Sequence, residues 1–245
     1  ADTITCTASA STFASTNVGD QLFFYDTDET EYRFDIVAYT SATVVTVRPV
    51  ATIPTALRTV LLAGTATWSL AVDTVSGLWH LEGKQVSVLG DGFVVANPNN
   101  SSYTALTVTD AAVTLDRPHA VVTVGLPITA DMETLSVDTA SAETLVGKKM
   151  IVGKVHVKLE KTRGLFVGSE PPPDEDTDFL GGLVELKVRQ YENYSSPIDL
   201  KTGDAEVVIN GQWNDNGRVF IRQTDPLPAT VLAIYPDGNF PIRQG

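Results

Sequence analysis

Lys154-Val155-His156-Val157-Lys158-Leu159 is apolar at every second position. In an extended chain successive side chains point to opposite faces, so Val155, Val157 and Leu159 share one side and Lys154, His156 and Lys158 the other. The same alternation of apolar with Thr, Ser or charged residues recurs at 22–25, 32–38, 42–47, 67–72, 85–89, 106–115 and 120–124. It returns at 182–190, 205–209, 218–223 and 230–235. Val and Thr dominate these runs, and β-branched side chains suit a pleated surface better than a helix. Between them stand turn formers: Asn17-Val18-Gly19-Asp20, Gly90-Asp91-Gly92, the Asn-rich 97–100, Thr202-Gly203-Asp204 and Asn214-Asp215-Asn216-Gly217. The last ends in Asn-Gly, which tolerates the positive φ of a tight hairpin. Only 10–15 and 141–146 read as short helices of about two turns. The expected class is all-β.

The 245 residues suggest one or two domains, and 43% apolar with 19% charged residues supply a core. One boundary falls where the strands of the opening part end and Gly77-Leu78-Trp79-His80 begins a new pattern. The expectation is a small β-barrel module over 1–76, then a larger antiparallel β-sandwich or barrel region over 77–245. Within the second part, the run Glu170-Pro171-Pro172-Pro173-Asp174-Glu175-Asp176-Thr177-Asp178 cannot pair in a sheet, because proline lacks the donor and like charges repel. It reads as an exposed Pro/acidic loop. No 18-residue apolar run exists, so no membrane span is expected. Ala1 opens the sequence with no signal-peptide pattern behind it, so the chain is expected to be a mature product or a piece of a longer protein.

Seventeen basic residues against 30 acidic ones leave a formal charge of −13, which disfavours a protein that wraps duplex DNA. The lone Cys6 excludes an intrachain disulfide and a cysteine zinc cluster. His80, His119 and His156 lie far apart and no Gly-x-Ser-x-Gly elbow is present, so no nucleophilic triad is read. Asp174, Asp176 and Asp178 have calcium-loop spacing with Glu185 at the twelfth position, but Phe179 stands where such a loop needs glycine. A solvated acidic loop is the better reading, with a weak calcium site as the alternative. Phosphate-cradling glycine motifs are missing. Sequons at Asn99, Asn100 and Asn193 carry no meaning without a secretory context. No catalytic, cofactor or metal residues are assigned. The basic strand with Lys154, His156 and Lys158, beside the acidic loop with Glu170, Asp174, Glu175, Asp176 and Asp178, has two readings: a device for subunit pairing, or a solvated sheet face.

Four ordered blocks resemble tail proteins of short-tailed bacteriophages. The first is Gly77-Leu78-Trp79-His80-Leu81-Glu82-Gly83-Lys84-Gln85-Val86-Ser87-Val88-Leu89-Gly90-Asp91-Gly92. The second joins Val122-Thr123-Val124-Gly125-Leu126-Pro127 to Thr129-Ala130-Asp131-Met132-Glu133-Thr134-Leu135. The third is Leu159-Glu160-Lys161-Thr162-Arg163-Gly164-Leu165 with Gly168. The fourth spans 214–228, with Gly217-Arg218-Val219-Phe220-Ile221-Arg222-Gln223 and Asp225-Pro226-Leu227-Pro228, and Val231-Leu232-Ala233-Ile234 follows it. The opening part, at Asn17-Val18-Gly19-Asp20 and Ala42-Thr43-Val44-Val45-Thr46-Val47, is similar to a small β-domain that such proteins share with a non-catalytic half-domain of ubiquitin-activating enzymes.

The resemblance implies a structural virion component, the nozzle or tubular tail protein. It would be a homo-oligomeric ring, commonly sixfold, that joins other tail and adaptor proteins and lets double-stranded DNA leave without specific binding. It implies no enzyme chemistry and no cofactor. The Pro/acidic insertion departs from the family pattern, and its acids are expected to form a rim at the channel or the ring contact. Two rivals remain. A receptor- or carbohydrate-binding module at the tail tip would gather Tyr191, Tyr194 and Trp213 in one shallow surface, and a glycan hydrolase would show a cleft with two facing carboxylates, one of them with a raised pKa.

Overall fold

The computed structural model describes residues 3–28, 30–138, 145, 147–173, 178–188, 199–214 and 216–239. Two compact units result, Ala1–Gly83 with Thr107–Thr123, and Lys84–Leu106 with Val124–Gly245. The chain is all-β, as its alternation predicts, and its sheets pair antiparallel.

The first unit begins with β1 (Ile4–Thr7), β2 (Gln21–Tyr25), β3 (Glu31–Ser41) and β4 (Val44–Pro49). A helix α1 (Thr55–Ala63) and β5 (Thr67–Ser76) follow. The chain then passes through β6 (Gln85–Gly90), β7 (Phe93–Ala96) and β8 (Leu106–Thr107) before β9 (Ala112–His119) closes the unit. The strand order is β1-β4-β3-β2-β5-β9. Among the described residues no pairing joins β9 to β1, so the sheet is open where a closed barrel was expected. The unit also runs past the expected limit at 76. β9 pairs along β5, Val75 opposite Val113 and Ser76 opposite Ala112, which covers an edge that would otherwise be unpaired.

The expected strand over 106–115 is cut by a turn in which Asp110 and Ala111 take φ of 53° and 56°. Both Glu82 carboxylate oxygens hold that turn, accepting the Asp110 and Ala111 amides at 3.1 and 2.7 Å. The core of the unit gathers Phe24, Phe34, Ile36, Val45 and Val47 from the sheet with Leu57 from α1. Helix α1 escaped the reading of periodicity because nine residues carry few repeats. It ends at Gly64 in the left-handed conformation, where the Gly64 and Thr65 amides satisfy the last carbonyls at Leu61 and Val60. The short helix expected at 10–15 is instead a single 3-10 turn at Ser15–Asn17, and the one expected at 141–146 lies outside the described residues apart from Leu145. No helix of the described residues is long and apolar enough to cross a membrane.

In the second unit β6 and β7 form a hairpin over Asp91-Gly92, both at positive φ. After β10 (Val122–Gly125) come β11 (Ala130–Glu133), β12 (Ile151–Thr162), β13 (Leu165–Gly168), β14 (Val184–Glu185), β15 (Lys201–Val208), β16 (Phe220–Gln223) and β17 (Val231–Asn239). One sheet runs β11-β16-β13-β14 and another β15-β12-β17. Their inner faces share one cluster: Val155, Val157 and Leu159 of β12 with Val207, Leu165, Val167 and Ile221. Two sheets over one core make a sandwich.

Each core tests separately. Phe34→Ala and Leu159→Ala are each expected to cost about 3–4 kcal/mol, the transfer term plus a cavity. Urea unfolding of the two variants checks this, and a loss under about 1 kcal/mol would show that the site named is not core.

Candidate functional site

The basic strand folds as its alternation requires, with Val155, Val157 and Leu159 fully buried and Lys154, His156 and Lys158 on the outer face of β12. Its acidic partners come from the neighbouring strands. Register places Glu206 opposite His156, Asp204 opposite Lys158 and Asp237 opposite Lys154. Lys154 Nζ stands 2.9 Å from Glu206 Oε1, and His156 Nδ1 3.7 Å from Oε2 of the same carboxylate. Hydrogen bonding to Glu206 raises the Lys154 ammonium above its usual value, and the same bond lowers Glu206. This face is therefore charge-mixed.

Of the acidic loop, Asp174, Glu175 and Asp176 lie outside the described residues. Glu170 accepts a 3.4 Å hydrogen bond from Asn214, and Asp178 caps a turn by accepting the Gly181 amide at 3.0 Å. The calcium reading rests on residues outside the description, and among the described residues no group of three His, Cys, Asp or Glu side chains could hold a metal. Tyr191 and Tyr194 are likewise outside, while Trp213 is exposed. Cys6 is half-buried, and burial pushes its thiol up, away from thiolate chemistry. His119 is buried and His80 lies edge-on to Trp79.

Sequence reading missed a charged cleft of about 310 Å³ in the second unit. Phe93 and Val94 of β7 and Tyr103 form part of its wall, with Arg163 and Gly164 from the turn between β12 and β13. Glu185, Lys187 and Val188 come from β14 and the residues after it, and Asp225 from the chain just beyond β16. Asp225 is only 5% exposed. Its Oδ1 accepts from Asn97 Nδ2 at 3.0 Å and Asn100 Nδ2 at 3.2 Å, and Asn97 also bonds the Thr224 carbonyl at 3.0 Å. The Asn-rich stretch 97–100 thus does more than turn. Buried and bound, Asn100 is removed as a glycan acceptor.

Burial raises the Asp225 carboxyl above the ordinary carboxylate range, against the opposing bonds from Asn100 and Asn97 and the field of Arg163. Burial also raises the Tyr103 phenol, with Asp225 and Glu185 adding to the rise and Arg163 opposing it. Gly164 sits at φ +80°, and a Cβ there would come within 2.9 Å of Asp225 Cβ and Oδ2, so glycine is demanded twice. The signals present in the sequence were an acid, Asp225, ending an apolar strand, and an Asn cluster 125 residues earlier. Nothing local connects them.

No family model matches the chain, and no curated protein matches its sequence.

Two outcomes follow from Asp225. Because its folded value is raised, its contribution to stability is complete below the unfolded value of about 3.9 and is lost as pH rises through the folded value. Asp225→Asn keeps an oxygen acceptor for both amides and does not titrate. Its stability relative to the parent should therefore rise from pH 3 to pH 7 in urea titrations, and a difference flat across that window would contradict the assignment. Gly164→Ala should cost about 1–3 kcal/mol in the same assay, from backbone strain and the collision with Asp225.

Proposed function

We propose that this chain is a structural component of a bacteriophage tail, a nozzle or tubular tail protein residing in the virion. Copies assemble into a ring, sixfold as is common in the family it resembles, contact other tail and adaptor proteins, and give double-stranded DNA a way out.

One observation supports this reading above others: the four blocks that carry the resemblance are wired together. Asp131 and Glu133 of the second block bond Arg222 and Arg218 of the fourth. Thr134 Oγ1 accepts the Val219 amide at 3.0 Å. The third block places Leu165 and Gly168 beside Gln223 and Phe220 of the fourth. Arg163 of the third block donates to the Gly92 carbonyl of the first at 2.9 Å. Most of these contacts are strand pairing and the charge-assisted bonds that hold it in register, as a structural subunit requires.

The acidic balance suits the role, since a formal charge of −13 repels phosphate over roughly a Debye length of 8 Å. The outer face of β15-β12-β17 offers both charge signs with Val208 and Tyr235 exposed among them, a surface suited to pairing with another copy.

Light scattering after size exclusion should find a discrete particle near six times the 26.2 kDa chain mass. A monomer at every concentration tried would contradict the ring. Charge reversal at Glu170, Asp174, Glu175, Asp176 and Asp178 should weaken ring assembly or DNA ejection. If both stayed unchanged, the acidic rim would be discarded.

A further inference from the structure

The geometry points to a second capacity in this chain: the cleft around Asp225 binds a single neutral sugar ring, such as the end residue of a surface glycan. This stands apart from the ring reading, because every wall of the cleft comes from the second unit of one chain.

Size comes first. A cavity of about 310 Å³ lies at the small end of ligand sites, which run from about 300 to 1,000 Å³. It admits one ring and little more. Charge comes second. Arg163 and Lys187 balance Glu185 and Asp225 in the lining, so the site favours neither an anion nor a cation. What it offers is an alternation of donors and acceptors around a partly apolar wall. Guanidinium and ammonium groups donate only, carboxylates accept, and the Tyr103 hydroxyl does both. A ring of hydroxyls, each able to donate and accept, matches such a lining, while Phe93 and Val94 provide apolar surface for the C–H face of the ring.

Pre-organisation comes third. Asp225 is held by Asn97 and Asn100 through one oxygen, and these amides are themselves buried, so the carboxyl cannot swing away. Gly164 lets the turn between β12 and β13 approach it closely. A recognition group fixed by its supporting shell loses little entropy on binding. None of this places a reacting bond, and the inference is of binding without turnover.

Saturation-transfer NMR on the full chain, with glucose, galactose and N-acetylglucosamine at about 20 mM each, suits the roughly millimolar affinity expected for one ring. The expected result is transfer to at least one sugar, with the Kd from a titration of that sugar weakened at least about tenfold in Glu185→Gln and in Arg163→Met. Both residues line the cleft outside the apolar core, and a Leu232→Ser control on β17 should bind as the parent does. Circular dichroism confirms that the variants fold. Absence of transfer to all three sugars would overturn the inference. So would transfer that survives both cleft variants, or binding of glycine in preference to every sugar, which would make the site one for zwitterions.

Discussion

Arg222 is the point on which the second unit turns. It lies in β16, a strand buried on both faces, and is itself only 1% exposed. A guanidinium cannot be deprotonated in place, so its charge must be met where it stands. Asp131 meets it across β11 with two parallel bonds of 2.8 Å, Nε to Oδ1 and Nη2 to Oδ2. The remaining face is taken by the Phe179 carbonyl at 2.7 Å and by the rings of Phe179 and Phe220, centred 4.7 and 5.5 Å from the guanidinium carbon. One side chain therefore fixes the β11–β16 register and pins the base of the loop that follows the Pro/acidic run. Any slip of β16 by one residue would put Arg222 among Val167, Leu165 and the other core residues, and would carry Ile221 to the face where Asp131 and the Phe179 carbonyl wait for a guanidinium. The ion pair acts less as a source of stability than as a rule against wrong pairings.

That constraint orders the rest of the unit. With β16 fixed, β13 pairs along its other edge, Phe166 opposite Arg222. The chain beyond Gln223 then delivers Asp225 to the Asn97 and Asn100 amides. The scaffold reading and the cleft both descend from this arrangement. The sheet β15-β12-β17 answers to a simpler rule, apolar residues inward and charges outward, and its outer face is correspondingly adaptable.

How legible was this in the sequence? The class and most strands were legible, because β12 and its neighbours have one wet face and one dry face, and the period of two survives in the letters. Strands buried on both sides defeat that signal. Leu165-Phe166-Val167-Gly168 has no polar alternation, and Arg222 in Phe220-Ile221-Arg222-Gln223 reads as a surface residue although it is buried. Strand β14 shrank to Val184–Glu185 from an expected 182–190, of which 189 and 190 lie outside the described residues. The Asn214 turn holds Gly217 at positive φ, as its Asn-Gly end allows, but the flanking β15 and β16 join different sheets, and the Asn214 amide oxygen accepts the Asn216 and Gly217 amides while its backbone bridges to Met150. The basic residues of β12 were correctly sided, but their partners depend on register with β15 and β17, which no local pattern encodes. The recruitment of β9 to β5 and the meeting of Asn97 with Asp225 are long-range for the same reason.

The most direct measurement is the unfolding free energy of Asp131→Ala in urea, read beside the double variant Asp131→Leu with Arg222→Met. If Arg222 organises the unit, removing its partner strands a buried charge and costs about 3–5 kcal/mol, while the apolar double variant recovers most of that loss. A cost for Asp131→Ala below about 1 kcal/mol, the worth of an ordinary exposed pair, would contradict the account.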